Sequence, residues 1–191
     1  MMKRMNQNFL LMIAVLSSVL MVCPASALKR EDMKSYHTSN GRIDFYAIGR
    51  PSFLKVHGIA NSMEGVINSN AEISGHFSIK LSDFKTGVGL RDKDLRNKVF
   101  VLDQYPPTAE LTLNPIPLKL REKTDFSALL KMHGVEKEVQ GQATVKFNGD
   151  KAIFEATFNI LLTDFNMKPP EFAGLKIQND VRVEVSGEAS I

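Results

Sequence analysis

The side chains best suited to bind a charged group lie in one short segment, Thr86 to Pro106. Arg91, Asp92 and Arg96 occur there in a charged stretch whose pattern predicts a short helix. A guanidinium group matches phosphate oxygens with two parallel hydrogen bonds, which a lysine ammonium cannot do. The arginines are therefore candidates to hold the polar head of a ligand, with Asp92 orienting Arg91. The alternative is that Asp92 caps the helix and that the charges form a solvated cluster.

Other polar side chains give little indication of catalysis or of metal binding. The four histidines are widely spaced and have no cysteine beside them: His37, His57, His76 and His133. They do not predict a metal site, and we expect no cofactor. The chain has no Gly-x-Ser-x-Gly nucleophile motif and no phosphate-binding glycine loop. Acidic residues in the predicted strands fall on the polar face, so we expect no catalytic residues and a protein that is not an enzyme.

The elements that must position these groups are strands. Apolar and polar residues alternate through several segments, most clearly through 72–81, 139–147 and 181–189. Alternation of this kind is typical of antiparallel strands that have one dry face and one solvated face. About eight such strands, together with one short helix, predict either a closed barrel or a sandwich of two sheets.

Turn signals separate these strands. Asn148-Gly149-Asp150 predicts a tight hairpin, because asparagine and glycine adopt positive φ angles at low cost. Asn40-Gly41 and 134–137 predict two further turns. The closely spaced prolines in 114–117 predict a loop, because proline cannot donate a hydrogen bond to a central strand pair.

The residues predicted to face inward are of two sizes. The large ones that we single out are Phe45, Phe77, Ile79, Leu111, Phe126, Leu130, Phe154 and Phe158. Small residues such as Gly75, Gly141 and Gly187 share the same face. A small barrel is just wide enough to be filled by its own side chains or to hold one small ligand. The small residues favour an apolar cavity in which the large side chains contact a hydrocarbon tail. The alternative is that the glycines mark bends while the phenylalanines fill the interior.

The first 27 residues have the pattern of a secretory signal peptide. Lys3 and Arg4 form a basic start, an apolar run covers 9–22, and Ala25-Ser26-Ala27 ends in small residues. The apolar run is shorter than the roughly 20 residues of a membrane-spanning helix. We therefore predict cleavage after Ala27 and export to the periplasm.

The predicted mature chain, 28–191, is long enough for one domain with its own core. It has no cysteine, because Cys23 would leave with the signal peptide. A lipid anchor on Cys23 is the alternative, although Val22 before it is larger than a bacterial lipoprotein signal requires. Of 24 basic and 21 acidic residues in the whole chain, only Lys3 and Arg4 would be lost, which leaves 22 against 21. This balance does not indicate general binding to nucleic acid or to anionic membranes.

Three segments resemble the YceI-like family of small secreted barrels. Thr86-Gly87 followed by Arg91-Asp92 and Leu95-Arg96, and then by Tyr105-Pro106, resembles the family pattern T-G-x-x-x-R-D-x-x-L-R with a later Y-P. In the same way, 133–139 is similar to H-G-V-T-K-x-V and 162–167 to the family's S-D-F-G-I segment.

The resemblance covers the chain from about Tyr36 to its end, with two departures. Many relatives have a histidine where this chain has Asp94 and an acid where it has Val101. Any role that the family gives to those two side chains does not transfer to this chain.

The resemblance implies a closed antiparallel lipocalin-like barrel that binds an isoprenoid or another long-chain amphiphile. It makes the expected function that of a periplasmic carrier for an amphiphilic lipid such as a polyisoprenoid, with no metal and no nucleic acid as partners. The sequence leaves a homodimer open. Two alternatives also stay open at this point: a ligand-free barrel with an envelope interaction or stress role, and an enzyme that acts on an isoprenoid or fatty lipid.

Overall fold

The computed structural model describes residues 33–118, 122–172 and 174–191. The predicted signal peptide and Cys23 lie outside these residues. Within the described part of the chain, no helix has the length and apolar character needed to span a bilayer.

The described chain is mostly β-strand. The strands are β1 (Lys34–Arg50), β2 (Lys55–Ser69), β3 (Glu72–Lys80), β4 (Thr108–Pro117), β5 (Thr124–Met132), β6 (Val135–Asn148), β7 (Lys151–Leu161), β8 (Glu171–Phe172) and β9 (Leu175–Ser190). Strands β1 to β7 pair in chain order, β7 pairs with β9, and β9 pairs with β1. Every one of these pairs is antiparallel, so eight strands form a closed barrel, while β8 adds two residues beside β9. The predicted fold class is confirmed.

The tight hairpin predicted at 148–150 is present. Asn148 pairs with Lys151, and Gly149 between them has a φ of 62°. The turn predicted at Asn40-Gly41 is wrong, because strand β1 continues through these two residues without reversing direction. The register of β1 against β2 shifts between Thr38 and Gly41, so the dipeptide forms part of a bulge rather than a turn.

The loop predicted at 114–117 is also wrong. Strand β4 continues to Pro117, and Ile116 pairs with Ile73 and is buried in the core. The prolines fit there because the pairing of β4 with β5 ends at Leu113. Beyond that point one side of β4 has no strand partner among the described residues, so a missing N–H breaks no ladder that the structure shows.

The connection between β3 and β4 carries the predicted short helix. A turn of 3-10 helix (Leu81–Asp83) leads to helix α1 (Gly89–Asp94), which continues as one π-helical turn over Leu95–Val99. The N–H of Phe100 donates to the carbonyl of Leu95 at 2.8 Å and closes that turn.

The helix lies at one end of the barrel. Strands β1, β3, β5 and β7 all run toward this end, so their outgoing connections meet there: 51–54, 81–107, 133–134 and 162–174. We call it the helix end. Inward-facing residues of the eight strands and apolar residues of the helix end form one continuous core.

Candidate ligand-binding site

The barrel encloses an apolar cavity with a volume of about 190 Å³. Its wall comes from the inner faces of all eight barrel strands and from the helix end. Only three of the lining residues that the structure describes have polar side chains: Ser78, Glu110 and Glu155. A smaller engineered cavity of about 150 Å³ with an apolar wall stays dry and binds benzene. The cavity in this barrel is therefore of a size and character that favour an apolar guest.

The three polar lining residues do not bring charge into the cavity. Each lies at an outward-facing position between two inward-facing neighbours, as Ser78 does between Phe77 and Ile79. Glu110 is 3.8 Å from the ammonium of Lys131, and its side chain is 41% exposed. The carboxylates therefore face solvent, and only apolar side chains face the cavity.

All of the large side chains predicted to contact an apolar tail lie in the cavity wall. They are Phe45, Phe77, Ile79, Leu111, Phe126, Leu130, Phe154 and Phe158. The structure thus brings together residues from five strands as the alternation predicts. That these side chains contact a ligand stays a prediction.

The inward glycines hold phenylalanine rings rather than lining the cavity. Each predicted inward phenylalanine is paired across strands with a glycine: Phe45 with Gly58, Phe77 with Gly65, Phe126 and Phe158 with Gly141, and Phe154 with Gly187. A Cβ built on Gly187 would lie 2.6 Å from Cζ of Phe154, and one on Gly141 would lie 2.7 Å from Cβ of Phe158. The rings therefore lie against bare backbone, and the space at the centre of the barrel stays open.

The phenylalanines also contact one another in pairs. Phe77 and Phe154 have ring centroids 5.7 Å apart, and Phe126 and Phe158 lie edge to face at 6.2 Å. Edge-to-face and tilted pairs at these distances are favourable because the positive ring edge meets the negative ring face. The wall is thus held in place by ring contacts as well as by strand pairing.

Sequence analysis missed the part of the wall that the helix end supplies. Phe84, Leu95, Val99 and Phe100 all line the cavity, and Phe84 contacts Phe45 with ring centroids 5.5 Å apart. A signal was present, because Leu95 and Val99 are four residues apart and so share one face of a helix. The charged residues around them drew attention to the solvent side of the segment instead.

The segment's predicted head-group residues lie beside the cavity rather than in its wall. The carboxylate of Asp92 accepts hydrogen bonds from the backbone N–H and the hydroxyl of Thr86, at 2.7 and 2.6 Å. Arg91 donates to the hydroxyl and the carbonyl oxygen of the same threonine, at 3.0 and 3.3 Å. Arg91 and Asp92 thus tie the start of the helix to Thr86. Arg96 is half-buried and is not among the hydrogen-bond partners of Thr86.

Asp92 is held in its ionised form. Burial by itself would raise the pKa of this carboxyl, but the two hydrogen bonds from Thr86 and the positive charges of Lys85 and Arg96 outweigh burial. The pKa of Asp92 is consequently below its ordinary value of 3.8. The carboxylate of Asp92 and the guanidinium of Arg96 therefore attract each other at the helix end.

His133 is the buried histidine of the helix end. It has a positive φ of 54°, stacks on Tyr105 with ring centroids 3.5 Å apart, and lies in the turn between β5 and β6. Its Nδ1 is 2.9 Å from the carbonyl oxygen of Phe165, which can only accept, so Nδ1 carries the proton. Its Nε2 is buried and has no hydrogen-bond partner among the described residues. The ring therefore joins three connections at this end of the barrel.

A second polar cluster lies on the outer face of β1 and β2, away from the cavity. The buried carboxylate of Asp44 accepts two hydrogen bonds from Arg42, at 2.6 and 2.7 Å, and lies 2.7 Å from Nε2 of His57. These bonds, with that from Arg42 the largest, lower the pKa of Asp44 below its ordinary value although burial opposes them. Tyr46 stacks flat on His57 with ring centroids 4.6 Å apart. The cluster joins neighbouring residues of two strands and so stabilises the barrel wall.

Metal-ligating groups do not converge in the described part of the chain. Across 33–118, 122–172 and 174–191, no three histidine, cysteine, aspartate or glutamate side chains lie close enough together to hold one metal ion.

A closed antiparallel barrel around an apolar cavity defines a class of protein that holds a small ligand in its interior. The fold and the cavity together support a ligand-binding role for this barrel. More narrowly, the chain belongs to the YceI-like family, because the family model described as a YceI-like domain matches residues 35–189. The family resemblance found in the sequence is confirmed.

One curated relative is a UPF0312 protein of Photorhabdus laumondii. It is 33% identical over 104 residues, which are 51% of this chain and 54% of the relative. The match thus spans about half the length of that relative.

Solved structures share the fold at low sequence identity. A polyisoprenoid binding domain from Saccharophagus degradans, described as implicated in plant cell wall breakdown, has a TM-score of 0.65 and 16% identity over 83% of this chain and 99% of its own. BcnA of Burkholderia cenocepacia has a TM-score of 0.67 and 18% identity over 78% and 96%. A YceI protein of Campylobacter jejuni has a TM-score of 0.59 and 20% identity over 71% and 85%.

Proposed function

We propose that this protein binds a long-chain apolar amphiphile of the polyisoprenoid class inside its barrel and carries or stores it in the periplasm. The observation that carries the proposal is the cavity of about 190 Å³ with a wall of apolar side chains. The fold neighbour from Saccharophagus degradans that is described as a polyisoprenoid binding domain supports this choice of ligand class.

The physical case for a hydrocarbon tail rests on the wall. Transfer of one CH₂ group from water to an apolar site contributes roughly 0.8 kcal/mol, so a tail of even modest length binds well in such a cavity. A polar or charged ligand would lose its hydration there and find no hydrogen-bond partners facing it. The phenylalanines that fold over glycines give the tail a wall of flat rings.

The polar head belongs at the helix end in this proposal. Arg96 is the member of the predicted trio best placed to contact a head group, because Thr86 occupies Arg91 and Asp92. Asp92 would position the segment that carries Arg96 rather than touch the ligand. Export to the periplasm rests on the signal-peptide pattern of the first 27 residues.

The test is to purify the exported protein from its own host, extract it with organic solvent and analyse the extract by mass spectrometry. We expect one class of apolar amphiphile in stoichiometric amount and chemically unaltered, as a carrier rather than an enzyme requires. Phe158→Trp, which enlarges a ring in the cavity wall, should reduce the recovered lipid severalfold. The matched control is Leu129→Trp on the outer face, where the side chain is 39% exposed. A folded protein that yields no lipid would refute the proposal.

A further inference from the structure

The two most exposed large apolar side chains near the helix end are Phe53 and Leu90. Phe53 is 78% exposed in the connection between β1 and β2, and Leu90 is 73% exposed in the first turn of α1. Val88, beside Leu90, is 48% exposed. Single exposed apolar residues are ordinary, but several at one end of a molecule that holds an apolar ligand require an explanation.

The helix segment and the strand ends on either side of Phe53 are basic. Residues 48–55 and 84–99 together contain seven basic and two acidic side chains. The remaining parts of the helix end, 81–83, 100–107, 133–134 and 162–174, contain one basic and four acidic side chains. Positive charge is therefore concentrated in the segments that carry Phe53 and Leu90, although the chain as a whole is nearly balanced.

The same segment connects this surface to the cavity. Phe84, Leu95, Val99 and Phe100 line the cavity from inside, while Leu90 projects from the helix into solvent. The segment is also tied to β2, because the backbones of Ile59 and Lys85 exchange hydrogen bonds of 2.8 and 2.9 Å. One short stretch of chain thus forms part of the cavity wall and part of the exposed surface.

We propose that the helix end docks on an anionic lipid surface, with Phe53 and Leu90 inserted among the acyl chains and the basic residues against the headgroups. Exposed apolar side chains on basic segments are the chemistry that such a surface selects, because insertion and charge attraction add. Docking there would place the cavity wall beside the membrane that supplies the ligand. This purpose of the docking rests on the proposed function. The docking itself is measured separately.

The test is co-sedimentation of the full protein with vesicles of phosphatidylglycerol and phosphatidylcholine in equal parts, and with vesicles of phosphatidylcholine alone. We expect binding to the anionic vesicles that weakens as salt is added. Phe53→Ser combined with Leu90→Ser should reduce binding at least tenfold. The matched control is Ile153→Ser, which removes an apolar side chain that is 46% exposed on β7, close to the opposite end.

A second pair of variants tests the charge. Lys85→Glu combined with Lys93→Glu should weaken binding strongly, since each basic residue near an anionic surface is worth roughly fivefold in affinity. The control is Lys146→Glu, an exposed lysine on β6 near the opposite end. Thermal unfolding of each variant checks that it is folded. We expect each variant to fold, because the substitutions are at surface positions.

The outcomes separate this inference from the proposed function. Wild-type protein that ignores anionic vesicles, or a Phe53 and Leu90 double variant that binds as well as wild type, would overturn the docking even if lipid is recovered from the purified protein. Dimers that dissociate in the double variant, without vesicle binding, would overturn it in favour of a second copy of the chain. Vesicle binding that depends on Phe53 and Leu90 supports the docking even if the purified protein contains no lipid.

Discussion

Pairs of glycine and phenylalanine on adjacent strands shape the interior at the scale of single residues. Phe154 lies directly opposite Gly187, and its ring covers the backbone where a side chain would otherwise stand. The sequence shows that both residues face inward but not that they are partners. Register depends on bulges such as the one at Gly41, and a shift of one residue would exchange every partner.

Gly187→Ala should therefore disturb the cavity wall. The added methyl would lie 2.6 Å from the ring of Phe154, so the ring must move toward the cavity. Overpacking of this kind costs about 1–3 kcal/mol in the free energy of unfolding, measured by denaturant titration. Combining it with Phe154→Leu should recover part of the loss, which a double-mutant cycle quantifies.

Gly89→Ala is the control for the effect of a methyl group alone, because a Cβ at Gly89 meets nothing within 4 Å. It should leave stability unchanged or raise it slightly, since alanine favours the helix. Equal losses from the two substitutions would contradict the idea that glycines make room for the rings.

Asp44 makes the barrel sensitive to acid. Its pKa in the folded protein is lowered below 3.8, chiefly by the hydrogen bonds from Arg42. The ionised carboxylate therefore stabilises the fold above about pH 4, and that contribution is lost as the pH falls through the folded pKa. Asp44→Asn should lower stability at pH 6 and flatten its decline in acid, measured by denaturant unfolding between pH 3 and 6. Asp150→Asn, at an exposed hairpin position, should leave the profile as it is; an unchanged profile for Asp44→Asn would refute the assignment.

Among the secondary-structure elements, the helix shows most clearly which features of the site can be predicted from sequence. Its existence could be predicted from glycines and clustered charges, and the spacing of Leu95 and Val99 indicates an apolar face. The role of that face in the cavity could not be predicted, because the other members of the wall are distant in sequence. The strands were predictable for the opposite reason. Alternation with a period of two is a local pattern that can be read from the sequence alone. The turn predicted at 40–41 and the loop predicted at 114–117 were wrong because pairing with a neighbouring strand decided whether the chain turned or continued.

Thr86 holds the helix at its start, so Thr86→Val should loosen it. The substitution removes the hydroxyl that donates to Asp92 and accepts from Arg91 while keeping the size of the side chain. A buried carboxylate that loses one hydrogen bond should cost roughly 1–2 kcal/mol. Amide hydrogen exchange over residues 89–99 should become faster than in the wild type.

The matched control for Thr86→Val is Thr112→Val on the outer face of β4. Thr112 also makes a side-chain hydrogen bond, at 3.1 Å to His76, but that bond is exposed. Thr112→Val should leave amide hydrogen exchange in residues 89–99 unaffected. If amide protection of the helix is the same in the wild type and in both variants, Thr86 does not anchor the helix.

At the scale of the whole molecule, closure of the barrel decides what the protein can do. Pairing of β9 with β1 removes the sheet edges, so all of the apolar inner faces meet around one enclosed volume. Sequence reasoning reached a barrel or a sandwich, and the family resemblance selected the barrel. The sequence alone does not show whether the interior is hollow. That depends on whether the phenylalanine rings lie flat against the wall, which is determined by the residues that strand pairing places opposite them.

The central claim is that this volume accepts a hydrocarbon tail. The most direct measurement is isothermal titration calorimetry with 1-alkanols of increasing length, after resident lipid has been removed on a hydrophobic resin. Each added CH₂ that enters the cavity should tighten binding about fourfold, from roughly 0.8 kcal/mol per group, until the cavity is full and the affinity levels off. No saturable binding at any length, or an affinity that does not depend on length, would contradict the account.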